Sequence, residues 1–230
     1  MSIKIYTDAS SNLFKSILES KKLDIQVLPM TVEIDGKSYL CYQDPIDVEE
    51  FSKTFYEKMK EGMKPKTSLP NPGLFQDRME EEISKGNQVL YVSLAGGISG
   101  TFQTCSMIAN QINEKYQSKR IAVINSKTAG LGEGMIAMYA YWESLKETDL
   151  DTLVAKVEEY TKKTRSEFIV DSLEYLTNSG RITKLAAKAA SIFSIKPLLY
   201  GSDQGKIELT SICRGKVKAI KKLASQVVEH

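Results

Sequence analysis

Three short apolar runs, Lys4–Thr7, Gln88–Ser93 and Arg120–Ile124, each run into a corner of small polar residues, and a helical pattern follows. The corners are Asp8-Ala9-Ser10-Ser11-Asn12, Gly96-Gly97-Ile98-Ser99-Gly100-Thr101 and Asn125-Ser126-Lys127-Thr128-Ala129-Gly130. Strands that alternate with helices in this way argue an α/β fold, a mainly parallel sheet with flanking helices. In such a sheet the strand carboxyl ends gather on one edge, where ligands bind. The pattern therefore puts all three corners on that edge.

The remaining elements fit the same plan. Amphipathic spacing predicts helices over Leu13–Ser20, Asp47–Lys60, Leu74–Ser84, Thr101–Tyr116, Met135–Leu145 and Leu150–Tyr160, and Ile25–Leu28 reads as a second strand. Met30–Ile34 and Ser38–Tyr42 flank Asp35-Gly36, a strong hairpin turn signal. Pro65 to Pro72 is rich in breakers and reads as a loop. After Thr148 the alternation weakens: Phe168–Val170 is a strand, Leu185–Phe193 an Ala-rich helix, Ile195–Tyr200 and Lys206–Cys213 a hairpin, and Val217–Val228 a basic helix. A boundary near Thr164 divides an α/β domain, 1–163, which carries the corners, from a smaller α+β domain, 164–230.

Composition excludes several classes. With 31 basic and 29 acidic residues interspersed, the net charge of +2 offers no basic stripe for nucleic acid. The longest apolar run, Met135–Trp142, is far too short to cross a bilayer, and Met1–Ser10 has no hydrophobic block of a secretory signal. Cys41, Cys105 and Cys213 have no paired spacing and read as buried thiols in a reducing cytosol, which places the protein in the cytoplasm. The single histidine, His230, is the last residue, which disfavours metal sites built on several His ligands. No metal or cofactor is expected.

Each corner precedes a helix, whose first amides are unpaired and partially positive and suit an anion. Ser and Thr there are also ordinary N-caps. A nucleotide phosphate loop needs Gly-x-x-x-x-Gly-Lys-Ser/Thr, and Gly96–Thr101 has neither the spacing nor the Lys. Gly130-Leu131-Gly132-Glu133-Gly134 is not a dinucleotide fingerprint, and Glu133 would repel a pyrophosphate. Ser99 lacks the Gly-x-Ser-x-Gly frame of a nucleophile elbow, and its base could only be His230. A serine hydrolase or acyltransferase using Ser99 is the alternative reading. A weakly charged anion held by hydroxyls and amides fits better, and a carboxylate is such an anion.

Seven pieces in register carry a resemblance over essentially the whole chain. They are Thr7–Leu13, Lys66–Pro70, Ile98–Phe102, Asn125–Lys127, Ser179–Ile182, Ile195–Leu198 and Arg214–Lys216, and together they resemble the DegV family of bacterial fatty-acid-binding proteins. The resemblance implies a non-enzymatic carrier with one long-chain fatty acid between its two domains. It implies a carboxylate held by the hydroxyls of Thr67 and Ser99 with the Gly100 and Thr101 amides nearby. It further implies that Arg181 and Arg214 face the head group or a separate ATP-dependent fatty-acid kinase, which makes the acyl phosphate for phospholipid synthesis. Both arginines also fit surface ion pairs. Ile98, Phe102, Ile192 and Phe193 are the candidates to line an apolar tunnel for the acyl chain, and each also fits plain core. Family members run on for several tens of residues past the point that matches His230, with a further sheet segment and a His near the head group. The resemblance therefore implies a C-terminally shortened second domain with an exposed sheet edge, and leaves His230 without a matching role.

Overall fold

The computed structural model describes residues 2–42, 48–182 and 195–229. The chain divides into two compact units, Met1–Thr164 and Arg165–His230. Unit one is built on a four-stranded sheet of β1 (Ile3–Asp8), β2 (Ile25–Leu28), β6 (Gln88–Ser93) and β7 (Ile121–Asn125), in the order β2-β1-β6-β7. All three pairings are parallel. Both faces are covered, so the strands read as near-continuous apolar runs rather than alternating ones.

Alternation reappears in what each residue packs against. Ile3 and Ile5 of β1 and Leu90 and Val92 of β6 join one core with α5 (Leu131–Ser144) and α6 (Leu150–Lys163), where Ile136, Ala137, Ala140, Leu153 and Val157 are buried. Tyr6, Val89 and Tyr91 face the other way, against Phe75, Met79 and Ile83 of α3 (Pro72–Ser84) and Cys105, Ile108 and Ile112 of α4 (Thr101–Lys115). The short α1 (Lys15–Lys21) flanks the first core through Ile17 and Leu18. The chain leaves β1 toward β2 and later returns on the opposite side to β6. That reversal makes the β1/β6 edge the topological switch point, where open α/β sheets bind ligands.

A second, antiparallel sheet interrupts this plan, with the order β4-β3-β5 for β3 (Thr31–Ile34), β4 (Lys37–Leu40) and β5 (Lys66–Ser68). Asp35 and Gly36 both have positive φ, 49° and 75°, as the type I′ turn of the expected hairpin requires. The third strand departs from the sequence reading, which made Lys66–Ser68 part of a loop. Thr67 pairs with Val32 and Ser68 with Thr31, so a stretch too short for strand periodicity is held by its partner. α2 (Val48–Lys60) carries a run of aromatic residues beside this sheet, and Phe51 lies 5.4 Å from the Tyr39 ring.

Unit two contains the antiparallel sheet β10-β9-β8, from β8 (Glu167–Ile169), β9 (Ile195–Gly201) and β10 (Ile207–Arg214), with a bulge between Leu209 and Ser211. A short α7 (Glu174–Asn178), absent from the sequence reading, packs Leu173 and Leu176 with Leu199 on one sheet face. The closing helix α8 (Lys216–Glu229) buries Ala219 against Leu198 and Cys213 on the other. The Leu185–Phe193 helix lies outside the described residues. Among the described residues no helix is long and apolar enough to cross a membrane. Cys105 and Cys213 are buried as expected, but Cys41 is only half-buried.

Candidate functional site

The three polar corners follow β1, β6 and β7 and lie side by side. Ser93 pairs with Asn125, Ala95 N–H donates to Thr128 O at 3.0 Å, and Gly130 N–H donates to Ser10 O at 2.9 Å. What separates them chemically is what their hydroxyls are bonded to.

In the corner after β7 the Ser126 hydroxyl is taken up locally, while the Lys127 side chain is exposed. The Ser126 hydroxyl donates to Thr128 O at 3.0 Å and accepts from Thr128 N–H at 3.3 Å. Asn125 Oδ1 accepts from Gly96 N–H at 3.1 Å and Lys127 N–H at 3.0 Å, an Asx turn that puts Lys127 in the left-handed region.

The corner after β1 is closed on buried acids. Asp8 caps the turn Ala9–Ser11 and accepts from Ser10 N–H at 2.9 Å and from the Tyr91 hydroxyl at 2.9 Å. Thr7 donates to Glu133 Oε1 at 3.0 Å, and Ser10 Oγ lies 2.7 Å from Glu133 Oε2. Asp8 and Glu133 are both fully buried. Burial, and then the Asp8 charge, push the Glu133 carboxyl well above its ordinary value. Sequence reasoning took Glu133 for a charge that would repel phosphate and missed this network. The signal available was Gly134 beside it, the small residue a close backbone approach demands.

The corner after β6 keeps its two hydroxyls clear of any carboxyl or carbonyl partner. Gly100 is the N-cap of α4 and offers no side chain, so Ser99 Oγ takes the Thr101 N–H at 3.2 Å. Ser99 Oγ and Thr101 Oγ1 are 2.8 Å apart and share one hydrogen. Two hydroxyls carry two hydrogens, so one is left over for another acceptor. The first bond within α4 is Thr104 N–H to Gly100 O, which leaves the Phe102 and Gln103 amides without intrahelical acceptors. Gly96 is tightly enclosed, with Asn125 Nδ2 and Gln103 Nε2 each 3.1 Å from where a β-carbon would stand. Gly100 is open, and its nearest neighbour is Leu69 Cδ2 at 3.8 Å.

Leu69 brings the Thr67 strand to this corner. Thr67 is exposed and directly opposite Val32, so the two side chains share one sheet face. Val32 lines a cavity of about 340 Å³ together with Ser10, Phe14, Met30, Phe51 and Phe55. Ala9, Asn12, Cys41, Tyr42, Ser52 and Tyr56 also line it, and Tyr42 stacks on Phe14 at 5.6 Å. A cavity of this size, mostly apolar with few polar groups, is of the kind that binds small ligands. Ser99, Gly100 and Thr101 form one corner of unit one, and Leu69, two residues after Thr67, lies beside Gly100. Ile98 and Phe102 do not line this cavity, and Ile192 and Phe193 lie outside the described residues.

Arg181 and Arg214 are both exposed. Arg181 precedes Ile182, which bridges Ile207 at the start of β10, while Arg214 ends β10. They stand roughly 20 Å apart along the strand, so the fold does not join them into one cluster. Among the described residues no group of three or more His, Cys, Asp or Glu could hold a metal ion.

The model of the family described as "Uncharacterised protein, DegV family" matches residues 2–230. A DegV domain-containing protein of Clostridium perfringens is 34% identical over 97% of this chain and 75% of its own length. Among solved structures, a fatty acid binding DegV family protein from Streptococcus agalactiae superposes with a TM-score of 0.84 at 28% identity, covering 100% of this chain and 78% of that one. A DegV family protein from Ruminococcus gnavus, solved with vaccenic acid, gives a TM-score of 0.82 at 25% identity, covering 99% of this chain and 78% of that one.

Proposed function

Since the chain belongs to the DegV family, we propose that it binds one long-chain fatty acid and does no chemistry on it. The observation that carries this reading is the Ser99–Thr101 hydroxyl pair, with one hydrogen to spare, at a helix start whose N-cap, Gly100, has no side chain. Two hydroxyls, the nearby Thr67 and the Gly100, Thr101 and Phe102 segment of backbone suit a carboxylate, whose burial is costly unless it is hydrogen-bonded. The cavity walled by Phe14, Val32, Phe51 and Phe55 is apolar enough to take an acyl chain. Each buried methylene contributes about 0.8 kcal/mol, so the tail supplies most of the affinity and the head group mainly orientation.

On this reading the protein is a cytoplasmic carrier that presents the acid to a separate fatty-acid kinase, and Arg181 and Arg214 face the head group or that kinase. Ser99 is a hydrogen-bond donor rather than a nucleophile: its side chain is bonded to the Thr101 hydroxyl and amide, neither of which is a general base. Denaturing mass spectrometry of the purified protein is expected to release a stoichiometric fatty acid. A protein that releases none, and shows no binding when titrated with vaccenic acid, does not have this function.

A further inference from the structure

The corner after β1 holds more acceptors than its hydrogens can serve if both acids are ionised. Ser10 Oγ is within hydrogen-bond distance of Asp8 Oδ1 and lies 2.7 Å from Glu133 Oε2. A hydroxyl has one hydrogen, so it cannot donate to both. A second hydrogen has to come from one of the two carboxyl groups. Asp8 is already an acceptor at both oxygens, Oδ1 from Ser10 N–H and Oδ2 from Tyr91 O–H. Glu133 accepts only from Thr7 at Oε1, and its Oε2 meets Ser10. Donors aimed at a carboxylate favour the charged form, so the charge belongs on Asp8 and the proton on Glu133.

We propose that Glu133 stands as a neutral acid that donates to Ser10, so that Ser10 donates to Asp8, one negative charge stays buried behind Ser10, and the Ser10 hydroxyl has no hydrogen left for an anion. Glu133 acts through Ser10 and is a positioning residue. The consequence is a direction for the ligand. Two corners flank the switch point: the Ser99 corner offers hydroxyl hydrogens, while the charge on Asp8 behind Ser10 disfavours a carboxylate there and leaves that side to the apolar part. This directional role rests on the fatty-acid reading, but the protonation does not.

The titratable groups around the pair come from several elements. Tyr91 on β6 and Tyr42 after β4 are raised chiefly by burial, and Cys105 on α4 is pushed up to about 12 by burial and then by Asp8. None of these supplies a positive charge, and burial and the Asp8 charge both favour the neutral form of Glu133. Folding therefore binds this proton more tightly than the unfolded chain does. The stabilisation is complete below the ordinary value of 4.5 and declines as pH rises toward the folded-state value.

Two isosteric variants separate the alternatives. Glu133→Gln copies the neutral acid, since its amide oxygen accepts from Thr7 and its nitrogen donates to Ser10. Asp8→Asn cannot copy an acceptor at both oxygens. At pH 7 the unfolding midpoint is expected to fall by no more than about 2 °C in E133Q and by more than about 4 °C in D8N. Raising the pH is expected to lower the wild-type midpoint, with the Glu133 part of that slope missing in E133Q. Equal damage from both variants, or an unchanged slope in E133Q, overturns the proposal. Infrared spectra of wild-type protein carrying 13C-labelled glutamate are expected to show one protonated carboxyl band at pH 7. A spectrum with carboxylate bands alone overturns the proposal even where the variants fail to fold. For the direction of the ligand, vaccenic acid affinity is expected to drop at alkaline pH in the wild type and to stay flat in E133Q, and parallel profiles overturn that role. If the wild type binds no vaccenic acid at any pH, the fatty-acid reading and its directional role fail together, while the midpoints and the infrared band still decide the protonation.

Discussion

A β-carbon on Gly134 would lie 2.5 Å from the carbonyl oxygen of Ser11. The first turn of α5 therefore rests on the backbone of the corner after β1. This close approach brings Glu133, one residue earlier, within reach of Thr7 and Ser10. Because the obstacle is backbone, it cannot swing aside as a side-chain tip would. Gly134→Ala is expected to cost about 1–2 kcal/mol net of the better helix propensity of alanine. Gly100→Ala is the control, with a new β-carbon at an ordinary 3.8 Å from Leu69 Cδ2 and an expected cost under about 1 kcal/mol. Chemical denaturation of both variants checks the difference.

Ser99 and Thr101 form one unit, because each hydroxyl is the other's partner. Removing either leaves a ligand carboxylate short of a donor, and a hydrogen bond to a charged group contributes about 1.5–3 kcal/mol. Ser99→Ala and Thr101→Val are each expected to weaken vaccenic acid binding about tenfold or more by titration. The double variant should lose less than the product of the two, since contacting residues do not act additively.

Arg181 and Arg214 are separated by the length of β10. Residues so far apart without shared partners act independently. Arg181→Ala and Arg214→Ala are therefore expected to combine additively, within about 0.5 kcal/mol, in any assay of fatty-acid or kinase binding. A strong non-additive term would mean that both arginines hold the same group.

Acid sensitivity is expected at the start of α6. Asp149 caps this helix, and its carboxylate takes the Thr152 amide at 2.8 Å and hydroxyl at 2.7 Å, which hold its pKa below 3.8. A depressed carboxylate stabilises the fold above its unfolded value, and this contribution is lost as pH falls through the folded value. Asp149→Asn keeps an accepting oxygen and does not titrate. Below about pH 4 it should remove the Asp149 part of the acid unfolding slope, as followed by circular dichroism.

The plan of unit one could be read from the chain. Strand and helix periodicities are local, and runs such as Gln88–Ser93 can be buried on both faces only in a helix-covered sheet. The Asp35-Gly36 turn was equally local, because few dipeptides accept two positive φ angles. The third strand of the small sheet was not legible: Lys66–Ser68 is exposed, lies between prolines, and is a strand only because β3 offers it an edge. The helical spacing of Phe51 and Phe55 was visible, but spacing does not say whether an apolar face packs tightly or leaves a cavity. The Asp8 corner was visible as a polar turn, but Glu133 comes from more than a hundred residues away in sequence.

The sequence by itself determined the parallel sheet, its three polar corners and their shared edge, because these follow from nearest-neighbour periodicity and from the topology that short connections allow. Residue types alone did not rank the corners. Tertiary structure distinguishes their hydroxyls, since whether one is free for a ligand depends on which distant groups already share its hydrogen. At Ser10 those groups are two buried carboxyls, at Ser126 a neighbouring carbonyl, and at Ser99 the hydroxyl and amide of Thr101.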